Sequence, residues 1–247
     1  MIQREAEIYH LYHSGVAVET SNSFLIFDYF NDSPVGQERS IENGVITADS
    51  LQAKDNNLVF VSHNHADHFN SVIFDWVKNN SNINYILSDD IDVSDKSNYY
   101  KVKEYQKLEL DDIYIETYGT TDQGVSFYVE VDGLNIFHSG DLNWWHWKKF
   151  TTKEQKREEE DYKAELNKLK GKEIDIAFVP VDPRLEEFYY LAGRYFAENI
   201  QPKLIVPIHF RDNYYITTDF AAEIKELPVE TVEIKRRGEK INEAGRW

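Results

Sequence analysis

Apolar positions along this chain fall into short blocks whose spacing keeps changing. Residues 125–131 alternate apolar with polar, the period of a half-buried strand, and apolar runs at 58–61, 134–137, 174–179 and 204–208 read as further strands. Near the start, two apolar runs separated by the polar turn residues around Ser14 and Ser21 read as a hairpin. The whole pattern predicts strands near 6–29, 58–62, 83–87, 106–119, 124–138, 174–180, 203–208 and 231–241. It predicts helices near 47–53, 71–79, 152–170, 185–199 and 218–226. Strands mixed with helices, without strict βαβ repetition, point to an α/β (α+β) chain.

One stretch departs from this compact patterning. Residues 151–172 are dense in Lys, Arg, Glu and Asp, and their apolar members Tyr162, Leu166 and Leu169 fall at i, i+4 and i+7. One narrow stripe can dock while the other faces stay solvated, so we expect an exposed helical insertion there.

Composition then sets the scale. With 247 residues, 41% of them hydrophobic and 14% aromatic, there is ample material for one core, and we expect a single domain over residues 1–247. The 44 acidic against 27 basic side chains give a formal net charge of -17, which works against contact with a phosphate backbone and disfavours a nucleic-acid partner. The island Lys235-Arg236-Arg237 is too short to change that. The first seven residues carry charges and no apolar stretch, and no apolar run approaches the roughly 20 residues of a membrane span, so no membrane partner is expected. The chain has no cysteine, which excludes disulfides and thiolate ligands and is compatible with a cytoplasmic protein. A homo-oligomer stays open.

The candidate chemistry concentrates just after the run at 58–61, where His63, His65, Asp67 and His68 form the pattern HxHxDH. Two imidazoles one residue apart at a strand end can both turn toward one ion, and Asp67 and His68 then reach the opposite side. Zinc takes nitrogen and oxygen donors, and an ion with an open position turns bound water into hydroxide near neutral pH, so the motif suggests hydrolysis. Two later strands end in the same manner. Residues 134–138 lead through Ser139 and Gly140 to Asp141, and 204–208 lead to His209.

Together these residues resemble the metallo-β-lactamase fold superfamily, over nearly the whole chain. The resemblance implies a four-layer αββα sandwich with a two-metal centre. His63 and His65 would hold the first ion, Asp67, His68 and His209 the second, and Asp141 would bridge them. The superfamily usually supplies another histidine to the first ion, yet none lies between His68 and His138. Asp122, in the segment 119–124, is the expected substitute, and a carboxylate would move the preference toward manganese or iron while leaving zinc acceptable. The alternatives are that Asp122 only shapes its turn, or that the first ion is weakly held or missing. His138 is another candidate ligand, although a histidine within a strand is more often packed and hydrogen-bonded. The opening segment resembles the branch that includes L-ascorbate-6-phosphate lactonase and related metal-dependent hydrolases, in which a His-Ser/Ala-Gly turn precedes a strand ending in Asp. His13 and Asp28 occupy those positions, and a structural role beneath the metal loop is as good an expectation for them as catalysis.

Around this centre, Trp144, Trp145 and Trp147 can form either a substrate wall or an apolar plug that anchors the charged helix. His146 is the titratable group among them and can donate a proton to a leaving group. Arg184, emerging with Asp182 after the strand at 174–179, and Arg211 can clamp an anionic group. The catalytic candidates are therefore Asp67, Asp141 and His146, and the substrate contacts are Trp144, Trp145, Arg184 and Arg211. The resemblance implies two divalent ions, zinc first with manganese or iron as alternatives. It also implies a metal-dependent hydrolase that directs a metal-held hydroxide at a small anionic lactone or phosphoester. Three other readings stand beside it: a mononuclear or metal-poor relative that only binds a ligand or partner, a nuclease, and an iron redox enzyme. For the last, no flavin or iron–sulfur module is visible in the sequence.

Overall fold

The structure is a computed structural model that describes residues 5–78 and 80–241. Residues 1–4 of the charged opening, Asn79 of the expected helix 71–79 and residues 242–247 of the expected domain lie outside the described residues. β1 (Glu7–Tyr12), β2 (Gly15–Glu19) and β3 (Ser23–Phe27) form an antiparallel meander. After α1 (Ala48–Gln52), the strands β4 (Asn56–Val61), β5 (Ile83–Ser88) and β6 (Tyr99–Val102) continue that sheet in parallel. β7 (Lys107–Leu110), β8 (Ile113–Tyr118), β9 (Ser126–Val131) and β10 (Leu134–His138) begin a second sheet as antiparallel neighbours. Then come α2 (Thr152–Leu166), β11 (Ile176–Pro180), α3 (Leu191–Asn199), β12 (Leu204–Ile208), α4 (Tyr215–Ile224), β13 (Glu230–Thr231) and β14 (Glu239–Ile241). β11, β12 and β13 join the second sheet in parallel, whereas β14 returns to pair antiparallel with β1. The strand orders are 14-1-2-3-4-5-6 and 13-12-11-10-9-8-7, seven strands each, two mixed sheets as the resemblance implies.

The apolar runs are strands buried on both faces. On β3, Leu25 and Phe27 join the core between the sheets, while Phe24 and Ile26 pack outward with Leu51 of α1 and with Ile73 and Trp76. Phe27 stacks on Phe60 at 4.5 Å inside, and Phe137 of β10 stacks on Phe196 of α3 at 5.5 Å. Burying one such ring contributes about 1.5–3 kcal/mol.

Several elements differ from the periodicity. Residues 71–78 form 3-10 turns rather than an α-helix. The stretch at 185–199 is broken, because Glu186 takes a left-handed φ of 53° before α3 begins. The expected strand 231–241 is two short strands in different sheets, and β6 was not foreseen. The charged helix is more than an exposed insertion. Thr151 caps α2 through a reciprocal pair with Glu154, and Tyr162, Leu166 and Leu169 are buried as their spacing predicts. Tyr162 also donates to Ala192 O at 2.8 Å, and the buried Glu165 carboxylate accepts from Gly119 N at 2.7 Å. Among the described residues no helix is long and apolar enough to cross a membrane.

Arg237 is not a surface charge. Its guanidinium donates to the carbonyls of Leu11, Asn31, Ser33 and Gly44 at 2.6–2.8 Å, which ties the segment before β14 to the loop after β3.

The strands that carry chemistry all run the same way to one rim. β1, β3, β4, β5, β10, β11 and β12 end just before His13, Asp28, His63, Asp90, Asp141, Asp182 and His209 respectively. Open sheets with parallel strands place ligands at such carboxyl ends.

Candidate metal centre

Two groups of potential ligands lie at this rim, each with its ligating atoms within 4.8 Å of one another. The first is His63, His65 and Asp141; the second is His13, His68 and His209. Asp141 straddles them: its Oδ2 is 3.5 Å from His63 Nε2, and its Oδ1 is 3.2 Å from His68 Nε2 and 3.3 Å from His209 Nε2.

The imidazole tautomers follow from the outer partners. Ser62 Oγ spends its proton on Asp28 Oδ2 at 2.7 Å, so it accepts from His63 Nδ1 at 2.9 Å. His68 Nδ1 donates to Asp28 Oδ2 at 2.8 Å, and His209 Nδ1 donates to Asp182 Oδ2 at 3.1 Å. With Nδ1 carrying the proton in all three, each Nε2 turns a lone pair inward, the state a cation requires. His65 presents Nδ1 instead, 3.0 Å from His63 Nε2.

A cation also answers an imbalance within the site. His68 Nε2, both nitrogens of His13 and Asp141 Oδ1 are buried without a hydrogen-bond partner among the described residues. A buried polar group left unpaired costs about 1–3 kcal/mol. Imidazole nitrogens around a shared carboxylate are donors suited to zinc and to other divalent first-row metals. The residues therefore fit the metal centre that the motif implies.

The carboxylates and imidazoles of the cluster also shift one another. Burial pulls the His13 imidazole down to about 3, helped by neighbouring His209, and burial lowers His63 as well. Burial also disfavours charge on His68 and His209, but Asp141 with Asp28, and Asp141 with Asp182, outweigh it and raise both. Asp141 itself is buried, yet His68 and His209 hold its carboxyl well below the usual range. Contact with His13 is the main reason that Asp67 is also lowered.

Strained backbone accompanies the site. His13, Asp28 and His209 adopt φ of 56°, 45° and 69°, conformations that each cost about 1–3 kcal/mol in a residue with a side chain. The bonds His209 N to His13 O at 3.0 Å and Asp28 N to Phe60 O at 3.0 Å help hold them. Gly124, at φ 78°, lies so close to the metal loop that a Cβ there would sit 1.9 Å from Ser62 O. Asp90 bonds both loops of the rim, accepting from Asn64 N at 3.0 Å and Gln123 Nε2 at 2.8 Å.

The expected ligands His63, His65, His68, Asp141 and His209 converge. Asp67 lines the adjoining cavity but belongs to neither group; Arg211 donates to its Oδ2 at 2.8 Å, and His13 Nε2 lies 3.4 Å away, too far for a good hydrogen bond. Asp122 is exposed on the cavity wall and joins neither group. The second group instead gains His13, which the sequence left open between a structural role and catalysis. Its signal was the Ser-Gly turn that follows it, but only the docking of β1 beside β12's exit reveals the ligand geometry.

The cavity, of about 370 Å³, is lined by His65, Asp67, Thr121, Asp122, Asp141, Trp145, Trp147, Phe150, Glu158, Arg184 and His209. The tryptophans divide their roles. Trp145 and Trp147 stack at 5.9 Å to form one wall, whereas Trp144 packs on Tyr162 and Tyr195 and anchors α2. His146 turns to Phe188, at 4.3 Å, and is not among the lining residues. Arg184 lines the cavity but is held by Asp182, its Nε 2.9 and 3.0 Å from the two carboxylate oxygens. Arg211 lies outside the lining. His138 is packed in the core, stacked on Phe27 at 5.0 Å.

The sequence profile of the family described as the beta-lactamase superfamily domain matches residues 7–209. No functionally curated protein matches the sequence. Among solved structures, Igni18, a novel metallo hydrolase from the hyperthermophilic archaeon Ignicoccus hospitalis, is similar with a TM-score of 0.62 at 14% identity, over 96% of this chain and 97% of its own. A protein of Parabacteroides distasonis provisionally named a metal-dependent hydrolase gives 0.58 at 17% identity, over 93% and 92%. CmlA, a diiron β-hydroxylase from Streptomyces venezuelae, gives 0.60 at 8% identity over 96% of this chain and 54% of CmlA. At these identities the likeness is one of fold.

Proposed function

This chain belongs to the beta-lactamase superfamily, in its metallo-β-lactamase fold, and from that premise we propose that it is a binuclear metal-dependent hydrolase of a small substrate, with a lactone or phosphoester as the bond cleaved. The observation that carries the reading is the pair of ligand groups sharing Asp141 at the floor of an open cavity. His63, His65 and Asp141 would hold one ion, and His13, His68, His209 and Asp141 the other, with zinc the metal that best suits so many imidazoles. Bound divalent ions would supply Lewis acidity toward the substrate oxygen and lower the pKa of a water molecule.

The protein's own groups do the rest. Asp28, Ser62 and Asp182 fix the ring orientation and tautomer of three ligand histidines. Asp67, kept ionised and lining the cavity, holds a negative charge beside the two ligand groups. Trp145 and Trp147 exclude water along one wall.

The first test is elemental analysis of protein purified without chelators, paired with turnover of lactone and phosphodiester panels. About two zinc or manganese ions per chain with turnover is the expected result. His65→Ala should abolish turnover while the fold survives, because His65 is exposed and its loss opens no core cavity. Iron with a visible absorption band and no hydrolysis would move the assignment to redox chemistry, and retained hydrolysis in the His65 variant would overturn the ligand set.

A further inference from the structure

His65 is the least supported of the ligand histidines in the first group. His63, His68 and His209 are buried, and each Nδ1 is fixed by an outer acceptor, whereas His65 is exposed and its Nε2 has no hydrogen-bond partner among the described residues. With no acceptor behind the ring, its position depends on the backbone around it. On one side, the His65 carbonyl accepts from His68 N at 3.0 Å and Phe69 N at 3.1 Å. On the other stands Asn64, the residue between the two ligand histidines, whose N–H donates to Asp90 Oδ2 at 3.0 Å. Asp90 comes from a separate segment, the turn after β5. Gln123 Nε2 donates to the same oxygen at 2.8 Å, while Asp90 Oδ1 is buried with no partner among the described residues, so Oδ2 alone carries both bonds. Through Gln123 the tie extends to the third member of the first group. Thr121, in the same loop, accepts from Asn143 N at 3.0 Å and donates to Asn143 O, which anchors the chain just after Asp141. His68 and His209 of the second group draw their support elsewhere, from Asp28 and Asp182.

We propose that Asp90 is a positioning residue that sets the affinity of the first ion: its Oδ2 holds Asn64 N, and with it the His65 ring, where His63, His65 and Asp141 converge. The first group has three members against three histidines and the shared Asp141 for the second, so its ion depends more on their alignment. Asp90 belongs to neither group and acts through its two hydrogen bonds. The inference rests on the ligand groups assigned above and not on the reaction they serve.

Zinc competition against a chromogenic chelator reads both ions. Asp90→Ala removes both bonds and should weaken one site about tenfold, leaving the other site and the circular dichroism spectrum as in the wild type. Asp90→Asn can place its amide oxygen at Oδ2 and its NH2 at the unpartnered Oδ1, so it should recover most of the affinity. Gln123→Ala, an exposed substitution that removes one of the two bonds, should give a smaller loss at the same site. In the His65→Ala background, where the first ion is already lost, Asp90→Ala should change the remaining site by no more than about twofold. Equal weakening of both sites, an unaffected first site in Asp90→Ala, an Asp90→Asn variant as weak as Asp90→Ala, or a tenfold loss that persists without His65 would overturn the assignment. These dependences in a protein that turns over no ester would sink only the hydrolase reading.

Discussion

Asp28 offers the sharpest test of how the protein prepares its centre. The residue is wholly buried, and its carboxylate accepts three hydrogen bonds: Ser62 N at 2.8 Å, Ser62 Oγ at 2.7 Å and His68 Nδ1 at 2.8 Å. Asp28→Asn keeps the shape but replaces one acceptor oxygen with an amide NH2. Three donors then face a group with a single acceptor oxygen. If the NH2 meets His68, that imidazole must move its proton to Nε2 and lose the inward lone pair; if it meets Ser62 N, the backbone of the metal loop is pushed away. Substitutions behind a metal-bound histidine typically weaken affinity 10–100-fold, or about 1.4–2.7 kcal/mol. The loss should fall on the group containing His68, so zinc competition against a chromogenic chelator should show one weakened site beside one nearly normal site. Asp28→Ala should be worse, because it also leaves a cavity and an unaccepted Ser62 N–H. Unchanged affinity in a folded Asp28→Asn protein, as judged by circular dichroism, would refute the tautomer argument.

Two further perturbations probe the scaffold. Gly124→Ala should cost about 3 kcal/mol or more in urea denaturation, since φ 78° disfavours a side chain and the added methyl collides with Ser62 O; a loss below about 1 kcal/mol would mean the loop yields easily. Asp132 links the turn after β9 to the turn before β3, accepting from Thr20 Oγ1 at 2.5 Å and from Asn22 N and Nδ2 at 3.0 and 2.8 Å. Burial works against its charge, but these bonds win and depress its pKa. Its contribution is therefore present above the unfolded carboxylate value and is lost as pH falls below about 4 through the folded value. Asp132→Asn should remove about 1–2 kcal/mol at neutral pH and flatten the acid limb of the stability curve; an unchanged acid limb would show the bonds contribute nothing net.

Much of the centre was legible because each ligand follows its own strand within a few residues. His63 and His65 after β4, Asp141 after β10 and His209 after β12 need only local pattern, a strand and then a donor. What was not legible depends on distant segments meeting. His13 and His209 are joined by a backbone bond, and Asp28 reaches His68 across forty positions, relations that no periodicity encodes. The same limit explains Asp122. A turn after β8 fixes its place in sequence, but only the folded chain shows it on the cavity wall and out of both ligand groups. Adjacent Trp144 and Trp145 part company for a like reason, since their chain runs irregularly after Asp141 and points one ring under α2 and the next into the cavity. The charged helix misled because its composition describes its solvated faces, whereas Glu158 and Glu165, ordinary glutamates in sequence, do its structural and cavity-facing tasks.

The Arg237 clamp bears on the order in which the molecule can be made. A ribosome has released every residue of both ligand groups once position 209 is out. Yet the carbonyls of Leu11, Asn31, Ser33 and Gly44 still wait for a guanidinium that arrives later, up to 226 positions along the chain from its partner. Contacts of such long separation form slowly, because a large loop must close before any of them contributes. Synthesis therefore leaves a window in which the loop after β3, beside Asp28, is unbraced and open to proteases or to early metal capture. Closing that window falls to the arginine and to the short strand behind it, residues with no chemistry of their own.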